Sequence, residues 1–544
     1  VVLIVKVPDY DVIVIGAGFS GLGMLHRLND LGFNACILER GDDIGGTWFW
    51  NRYPGARCDL QSVEYSYSYP EIQDDWEWTE LFAAQPEIES YIHFVADRWK
   101  LHDQIHLSTT VKSASWDGEY WTIGTDSRGS LITRTVVAAT GGLSEPLVPQ
   151  IDGIERFNGD VLISGTYPKE GYDYTAKNVA IFGTGSSGVQ MVPHLAQQAD
   201  NLYIVQRSAA YARPAHNRQL EPGEMDQLKK EYPELRAAQL ASPIGTVRLG
   251  ALTAPPPLAT GPQPDRRLLE STPDERAEVL RELGWAGPWA WADLLTDPEA
   301  NLVANGMFRD LIASVVEDDG LVDSLLPQYP IGCKRQVLGI DYFETFNREN
   351  VHLIDLKKTT VSVGEGGDSL IAEADSIHID TIVLATGFDA MTGALSKIDI
   401  RGLGGTSLAD TWASLGPVNY LGLQISGFPN FFMMTGPGSP STNVNFLPAI
   451  EQHIDVIGSM LVYLRDSGFS SMEARSEAQS SWIETVAAAA HGSVRTWSTC
   501  NSWYLGSNVP GKPRVYLPYM GGMLKYRAIC DLEAASDYPH FVFK

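Results

Sequence analysis

The run Asp11-Val12-Ile13-Val14-Ile15-Gly16-Ala17-Gly18-Phe19-Ser20-Gly21 decides the fold. Asp11 to Ile15 is mostly β-branched and apolar, as a buried strand requires, and it breaks at Gly16. Leu22, Leu25, Leu28 and Leu31 then recur at a spacing of three up to Gly32, the pattern of a helix and its stop. Ala35 to Leu38 is a second apolar run ending in Glu39, so strand, helix and strand complete a βαβ unit. Gly16, Gly18 and Gly21, with Phe19 and Ser20 between them, lie where the strand turns into the helix. Backbone without side chains can there approach a pyrophosphate at the positive helix end. Glu39 stands at a strand end, where a carboxylate accepts ribose hydroxyls and repels a 2'-phosphate, which favours FAD or NAD over NADP.

The architecture recurs. Asn178 to Phe182 reads as a buried strand, Gly183-Thr184-Gly185-Ser186-Ser187-Gly188 as its turn, and Ser187 to Ala199 as a helix with Val189, Val192 and Leu195 on one face. Pro193 removes one backbone donor from that helix and is expected to kink it. Leu202 to Val205 is the next strand, but it runs into Gln206-Arg207-Ser208 instead of an acid. A guanidinium is a planar donor fork suited to phosphate, so Arg207 indicates NADPH.

Work outward from these units gives an α/β protein with two Rossmann-like domains. Residues 1–145 and 388–544 form a discontinuous FAD-binding domain, 146–219 and 327–387 a discontinuous NADP-binding domain, and 220–326 a helical insertion. The insertion is rich in Glu, Arg and Leu and is interrupted by a proline-rich passage from Pro255 to Pro264. Within it, Thr272-Pro273-Asp274-Glu275 has capping-box spacing and Gly284 ends the helix.

The 544 residues carry 40 Lys and Arg against 67 Asp and Glu, a formal charge of -27 that argues against nucleic-acid partners. Cys36, Cys58, Cys333, Cys500 and Cys530 are scattered and form no C-x-x-C pair, so neither a disulfide framework nor a zinc site is expected. The histidines show no ligand spacing, so no metal is expected either. The opening Val1 to Val7 is too short to span a bilayer and lacks a basic flank, and no apolar run of about 18 residues occurs. No membrane insertion and a reducing, cytoplasmic setting are the expectation.

Two dinucleotide folds in one chain imply hydride transfer from nicotinamide to flavin. A disulfide reductase would need a redox-active cysteine pair, which the spacing does not supply, and oxygen is then the simplest electron acceptor.

At this point the chain resembles the Baeyer–Villiger monooxygenases, close to the phenylacetone and cyclohexanone type, over nearly its whole length. Gly45-Gly46-Thr47-Trp48 through Tyr53-Pro54-Gly55 to Asp59 matches every fixed position of the family pattern [A/G]-G-x-W-x-x-x-x-[F/Y]-P-G-x-x-x-D. Gly332-Cys333-Lys334-Arg335 looks like the family's catalytic-arginine segment, and Ala385-Thr386-Gly387-Phe388-Asp389 like its late Ala-Thr-Gly motif. Ser502-Trp503-Tyr504, followed by Asn508 to Pro513, looks like its C-terminal cofactor loop. The fingerprint F-x-G-x-x-x-H-x-x-x-W-[P/D] is present in part, as Phe157, Gly159 and Pro168, with Ile163 for the histidine and Tyr167 for the tryptophan. Gly142 stands where relatives often carry a longer polar side chain.

The resemblance implies an NADPH- and oxygen-dependent enzyme that turns a ketone into an ester or lactone through a flavin C(4a)-peroxide. Arg335 would be the cation beside the developing negative charge, and Asp59 would position it. Lys334 joins Arg207 and Ser208 at the 2'-phosphate, and Trp503 hydrogen-bonds NADP. Arg40, Gly46, Thr47, Trp48 and Tyr65 fall to the flavin side, with Ala385, Thr386 and Gly387 between the folds. Thr442, Asn443 and Phe446, on a loop from Gly438, are the candidate ketone contacts. Small cyclic, aryl, terpenoid and steroid-like ketones all remain compatible, with O2 as co-substrate and no obligate protein partner implied. The rivals are a flavin monooxygenase that oxygenates sulfur or nitrogen, against which Arg335 argues, and an uncoupled NADPH oxidase or flavin redox protein, which Ile163 and Tyr167 favour.

Overall fold

The computed structural model describes residues 7–247, 266–373 and 375–544. The proline-rich passage Pro255 to Pro264 and the opening Val1 to Lys6 lie outside the described residues.

The strand Tyr10–Ile15 pairs in parallel with Ala35–Leu38 on one side and Ser130–Ala138 on the other. Ile105–His106 extends one edge of this sheet, and Phe431–Met433 pairs in parallel with the end of Ser130–Ala138. The first half of Ser130–Ala138 turns antiparallel to Trp121–Thr125, which leads on to Val111–Trp116 and Asp399–Arg401. A second sheet is wholly parallel, in the order Val351–Asp355, Asn201–Gln206, Asn178–Phe182, Thr381–Leu384, Asp160–Ile163. Val12, Val14, Val179 and Ile181 are buried, as strands covered on both faces must be.

The helices follow their apolar stripes. Phe19–Asp30 buries Leu22, Leu25 and Leu28, and Ser186–Gln198 buries Val189, Val192 and Leu195 and runs through Pro193 without ending. The helical passage is shared between two cores. Glu224–Ala241 gives Met225, Leu228, Tyr232 and Leu235 to the core around the first sheet. Pro273–Leu283, Pro298–Ala313 and Asp319–Leu325 give Val279, Phe308 and Val322 to the core around the second. At Thr272 both capping-box bonds form, and the helix stops before Gly284.

The two strand-to-helix turns are built alike. Gly16 and Gly183 both have φ +107, where a Cβ would lie 2.6 Å from the Ala139 carbonyl oxygen and 2.4 Å from that of Ala385, respectively. A Cβ on Gly21 would sit 1.8 Å from the Gly16 carbonyl oxygen, and one on Gly188 2.0 Å from that of Gly183. These neighbours are backbone and cannot swing away. Gly188→Ala is expected to cost about 3 kcal/mol in urea denaturation and to remove thermal stabilisation by NADPH; a variant with parental values for both would refute this account of the turn.

The partial fingerprint is nevertheless well packed. Tyr167 donates its backbone amide to the Trp50 carbonyl at 3.3 Å, and its hydroxyl meets that of Tyr174 at 2.9 Å. Ile163 ends the edge strand of the second sheet. A side chain on Gly142 would meet the Met391 sulfur at 3.0 Å. No helix among the described residues is long and apolar enough to cross a membrane, and none of their His, Cys, Asp and Glu side chains group to hold a metal ion.

Candidate active site

Each glycine turn ends in a helix whose N-cap, Gly18 or Gly185, offers no side-chain oxygen to the first amides. Those amides are left for an anion, and the macrodipole favours one. A Cβ on Gly185 would meet nothing within 4 Å, so the second cradle is open in front of the helix end. The first is flanked by Gly46, whose Cβ position lies 2.8 Å from Gly18 Cα, and Gly45 donates to the Ala17 carbonyl at 3.0 Å. Both cradles fit a dinucleotide pyrophosphate, because backbone amides converge where no side chain intrudes.

Around the first cradle two of the predicted side chains, Glu39 and Arg40, are engaged by the protein itself. Glu39 is buried, and its two oxygens accept the amides of Ala17 and Gly41, each at 2.7 Å. It therefore fixes the two turns that border the cradle and keeps only its remaining lone pairs for a ribose. Arg40 is held by the protein: it pairs with Glu145 at 2.7 Å, donates to the Ser144 carbonyl at 2.6 Å and lies over the Trp50 ring. Thr47 opens the short helix Thr47–Trp50. Trp48 is buried and donates to the Tyr65 hydroxyl at 3.2 Å, while Phe19 meets the Tyr65 ring edge-on. Burial pushes the Tyr65 phenol far above its ordinary range, so it stays a neutral donor.

At the second cradle, the Thr184 hydroxyl donates to the Ser208 carbonyl at 2.7 Å and fixes the Arg207 turn. Arg207 is exposed, and Lys334 lies with its ammonium 4.2 Å from the centre of the Tyr329 ring. Burial, and secondly the charge of Arg207, bring Lys334 down to about 8. Two cations that disfavour one another are the arrangement a phosphate would relieve. Lys334 is charged below that pKa and neutral above it, so the KM for NADPH is expected to rise between pH 7 and pH 9 by about tenfold. Steady-state kinetics with NADH should show a much flatter profile; parallel profiles for the two nucleotides would remove Lys334 from the phosphate site. Behind this cradle Ala385 backs Gly183, and Thr386 donates its hydroxyl to the Leu147 carbonyl while Leu147 donates to that of Gly387. This motif therefore clasps the crossover between the two sheets.

Asp59 and Arg335, 276 residues apart, meet in a two-pronged ion pair. Nε donates to Oδ2 at 2.5 Å and Nη2 to Oδ1 at 2.9 Å. Asp59, the main cause, holds the guanidinium firmly protonated, and both side chains keep about a third of their surface exposed, 39% and 32%. Asp59 is carried by a segment seated on the helix Ser186–Gln198. Tyr53 donates to Gln190 at 2.9 Å, Gln190 donates to the Arg57 carbonyl at 3.0 Å, and a side chain on Gly55 would strike His194.

Cys333 and Cys500 form a disulfide, contrary to the expectation from their spacing. Their 167-residue separation hides a contact that the fold creates. Both are fully buried, with Leu505 against them, which keeps thiols and reductants out. The bond ties the Lys334-Arg335 segment to the C-terminal loop. That loop is also docked by Asn508, which donates to the Phe388 carbonyl at 2.8 Å, and by the Lys512–Asp389 ion pair. Trp503 is half-buried beside Tyr504 and packs on Ala390, Met391 and Leu517.

A cavity of about 160 Å³ opens beside the ion pair, lined among the described residues by Asp59, Arg335, Arg213, Gln336, Asn443 and neighbours. Of the three proposed ketone contacts only Asn443 reaches it. Thr442 is buried inside the tight turn Ser441–Asn443, its hydroxyl without a partner among the described residues. Phe446 begins the helix Phe446–Asp466 and packs on the first core. Val444 and Asn445 line the cavity instead. Sequence reasoning missed Arg213 and Arg495. Arg495 bonds the Asn443 amide oxygen and donates to the Tyr516 hydroxyl at 3.0 Å, so it fixes Asn443 from behind. No motif surrounds either arginine; the one signal was a basic residue in a strongly acidic chain, close to a segment already singled out.

Comparison with known proteins agrees with this arrangement. A family model described as pyridine nucleotide-disulphide oxidoreductase matches residues 13–241, the stretch holding both glycine turns. A Baeyer-Villiger monooxygenase of Pseudooceanicola batsensis is 34% identical, with 98% of this chain and 96% of the relative covered. A solved structure described as oxidized steroid monooxygenase bound to NADP is 41% identical with a TM-score of 0.89, covering 98% of this chain and 99% of that one. A further structure, of OTEMO complexed with FAD and NADP, is 32% identical with a TM-score of 0.89 over 99% of this chain and all of the other. With kinship running the length of both chains, and with the paired cradles and the Asp59–Arg335 contact in place, the chain belongs to the Baeyer–Villiger monooxygenases.

Proposed function

We propose that this protein binds FAD at the Gly16–Gly21 turn and NADPH at the Gly183–Gly188 turn, and inserts one atom of O2 beside a ketone carbonyl to give an ester or lactone. The balance is ketone, O2, NADPH and a proton to ester, water and NADP+. The observation that carries this reading is the Asp59–Arg335 pair, a fixed cation at the edge of a cavity, anchored from both dinucleotide units. Bound and reduced, the flavin supplies the two electrons and the ring at which oxygen is activated. The chain's own residues do the rest. Arg335 presents a permanent positive charge where negative charge must build up on oxygen, without reorganisation at the moment of reaction. Asp59 holds the guanidinium plane by both donors and limits its swing. Asn443, fixed by Arg495 and Tyr516, offers the cavity an oriented amide.

The division into an FAD unit of residues 1–145 and 388–544, an NADP unit of 146–219 and 327–387, and a helical passage 220–326 is part of this reading. So is a cytoplasmic setting with ketone and O2 as the only partners; there the closed surroundings of Cys333 and Cys500 would shield their bond. The test is NADPH consumption by the FAD-loaded protein over a ketone panel, with mass spectrometry of products and assay of hydrogen peroxide. A product one oxygen heavier, with little peroxide, supports the reading. Peroxide alone across the panel would favour an uncoupled oxidase and overturn it.

A further inference from the structure

Arg213 is a second cation in the wall of the Arg335 cavity, with no ion pair of its own among the described residues. It lies on the short strand Ala212–Pro214, paired in parallel with Val337–Gly339, the segment that follows Arg335, so Arg213 and Leu338 face the cavity in register. Its Nε is closed off from solvent and has no hydrogen-bond partner among the described residues. Among the described residues Asp59 is the carboxylate whose charge reaches it, and both oxygens of Asp59 already accept from Arg335. Arg495, behind Asn443, adds a further cation whose hydrogen-bond partners among the described residues, Asn443, Tyr516 and Gly332, are all neutral. The remaining named lining groups, Gln336, Asn443 and Asn445 among them, are also neutral. In a chain of net charge -27, two guanidinium groups and one carboxylate line this cavity among the described residues, and the Glu64 carboxylate behind it is engaged by Thr246 and Val247.

An enclosed guanidinium with an unmet donor is unfavourable unless something that enters the cavity meets it. A neutral wall would serve a plain hydrocarbon ketone better. We propose that Arg213 recognises a carboxylate on the substrate, so that the preferred ketones are keto acids, held at one end by Arg213 and oxygenated at the other beside Arg335. This deepens the ketone-oxygenase reading and rests on it. A planar fork suits a carboxylate by two parallel donors, which lysine cannot copy.

The test uses the FAD-loaded full-length protein, its Arg213→Leu and Arg213→Lys variants, and cyclopentanones bearing a carboxylate on one, two or three methylenes, each beside its methyl ester. For the best acid, kcat/KM is expected to exceed that of its ester by about tenfold in the parent, and Arg213→Leu should erase that preference mainly through KM, with Arg213→Lys recovering part. Binding of the same acids to the oxidised protein, followed by flavin fluorescence, gives a readout independent of turnover. If acids bind in an Arg213-dependent way while no ketone is oxygenated, the reaction assigned above fails and this assignment stands. If no acid outperforms its ester in rate or binding, or if Arg213→Leu weakens acid and ester alike, the carboxylate assignment is overturned and Arg213 is a structural or Asp59-positioning residue.

Discussion

Arg335→Ala is expected to keep NADPH-dependent bleaching of the flavin and to lose ester formation by at least about a thousandfold, releasing hydrogen peroxide instead. Removing a single oriented donor at a site of developing negative charge costs about 100- to 1,000-fold, and this substitution removes a full charge with its donors. The Asp59 carboxylate would also be left without its partner, which works against negative charge in the same place. Stopped-flow reduction and product analysis separate the two half-reactions. Ester formation within an order of magnitude of the parent would overturn the charge-stabilising role assigned to Arg335.

Arg207→Gln is expected to raise the KM for NADPH by about tenfold while moving that for NADH by less than about twofold. The estimate is modest because Arg207 is exposed and solvent screens it, and because Lys334 stays beside it. Combined with Lys334→Gln the two losses should reinforce one another, since the Arg207 charge disfavours the charged form of Lys334 and the same phosphate would meet both. Equal effects on the two nucleotides would mean that the 2'-phosphate is bound elsewhere.

Much of this was legible in the sequence for a definable reason. The glycine clusters announce themselves because backbone packing at Gly16, Gly21, Gly183 and Gly188 tolerates no side chain, and a covered parallel strand must be apolar throughout. Asp59 and Arg335 each sit in a motif dense enough to recognise. What escaped depends on side-chain direction or on contacts between distant segments. Cys333 and Cys500 have no local spacing to betray them. Thr442 and Phe446 lie one and three residues from Asn443, yet the tight turn and the helix start send them into the protein. Glu39 was found, but its capture by the Ala17 and Gly41 amides follows from how two turns close on it. Arg213 had no pattern around it at all; only the enclosure of its Nε marks it.

The seating of Tyr53 to Asp59 on the helix Ser186–Gln198 bears on how such proteins can be recombined. By chain order the segment belongs to the first dinucleotide unit, where Ala56 and Cys58 bond Gln85 and Ala83, but Tyr53 and Arg57 also bond Gln190, and a side chain on Gly55 would strike the Gln190 carbonyl and His194 of the second. A chimaera that takes the second unit from a relative and cuts at the boundaries suggested by chain order would set a foreign helix under Asp59. The inherited segment would then be displaced while the incoming Arg335 equivalent kept its own position. Taking the helix Ser186–Gln198 from the same parent as residues 53–59 keeps the two matched and leaves the bonds of Ala56, Arg57 and Cys58 to residues 82–85 intact, so crossover points belong after Gln198.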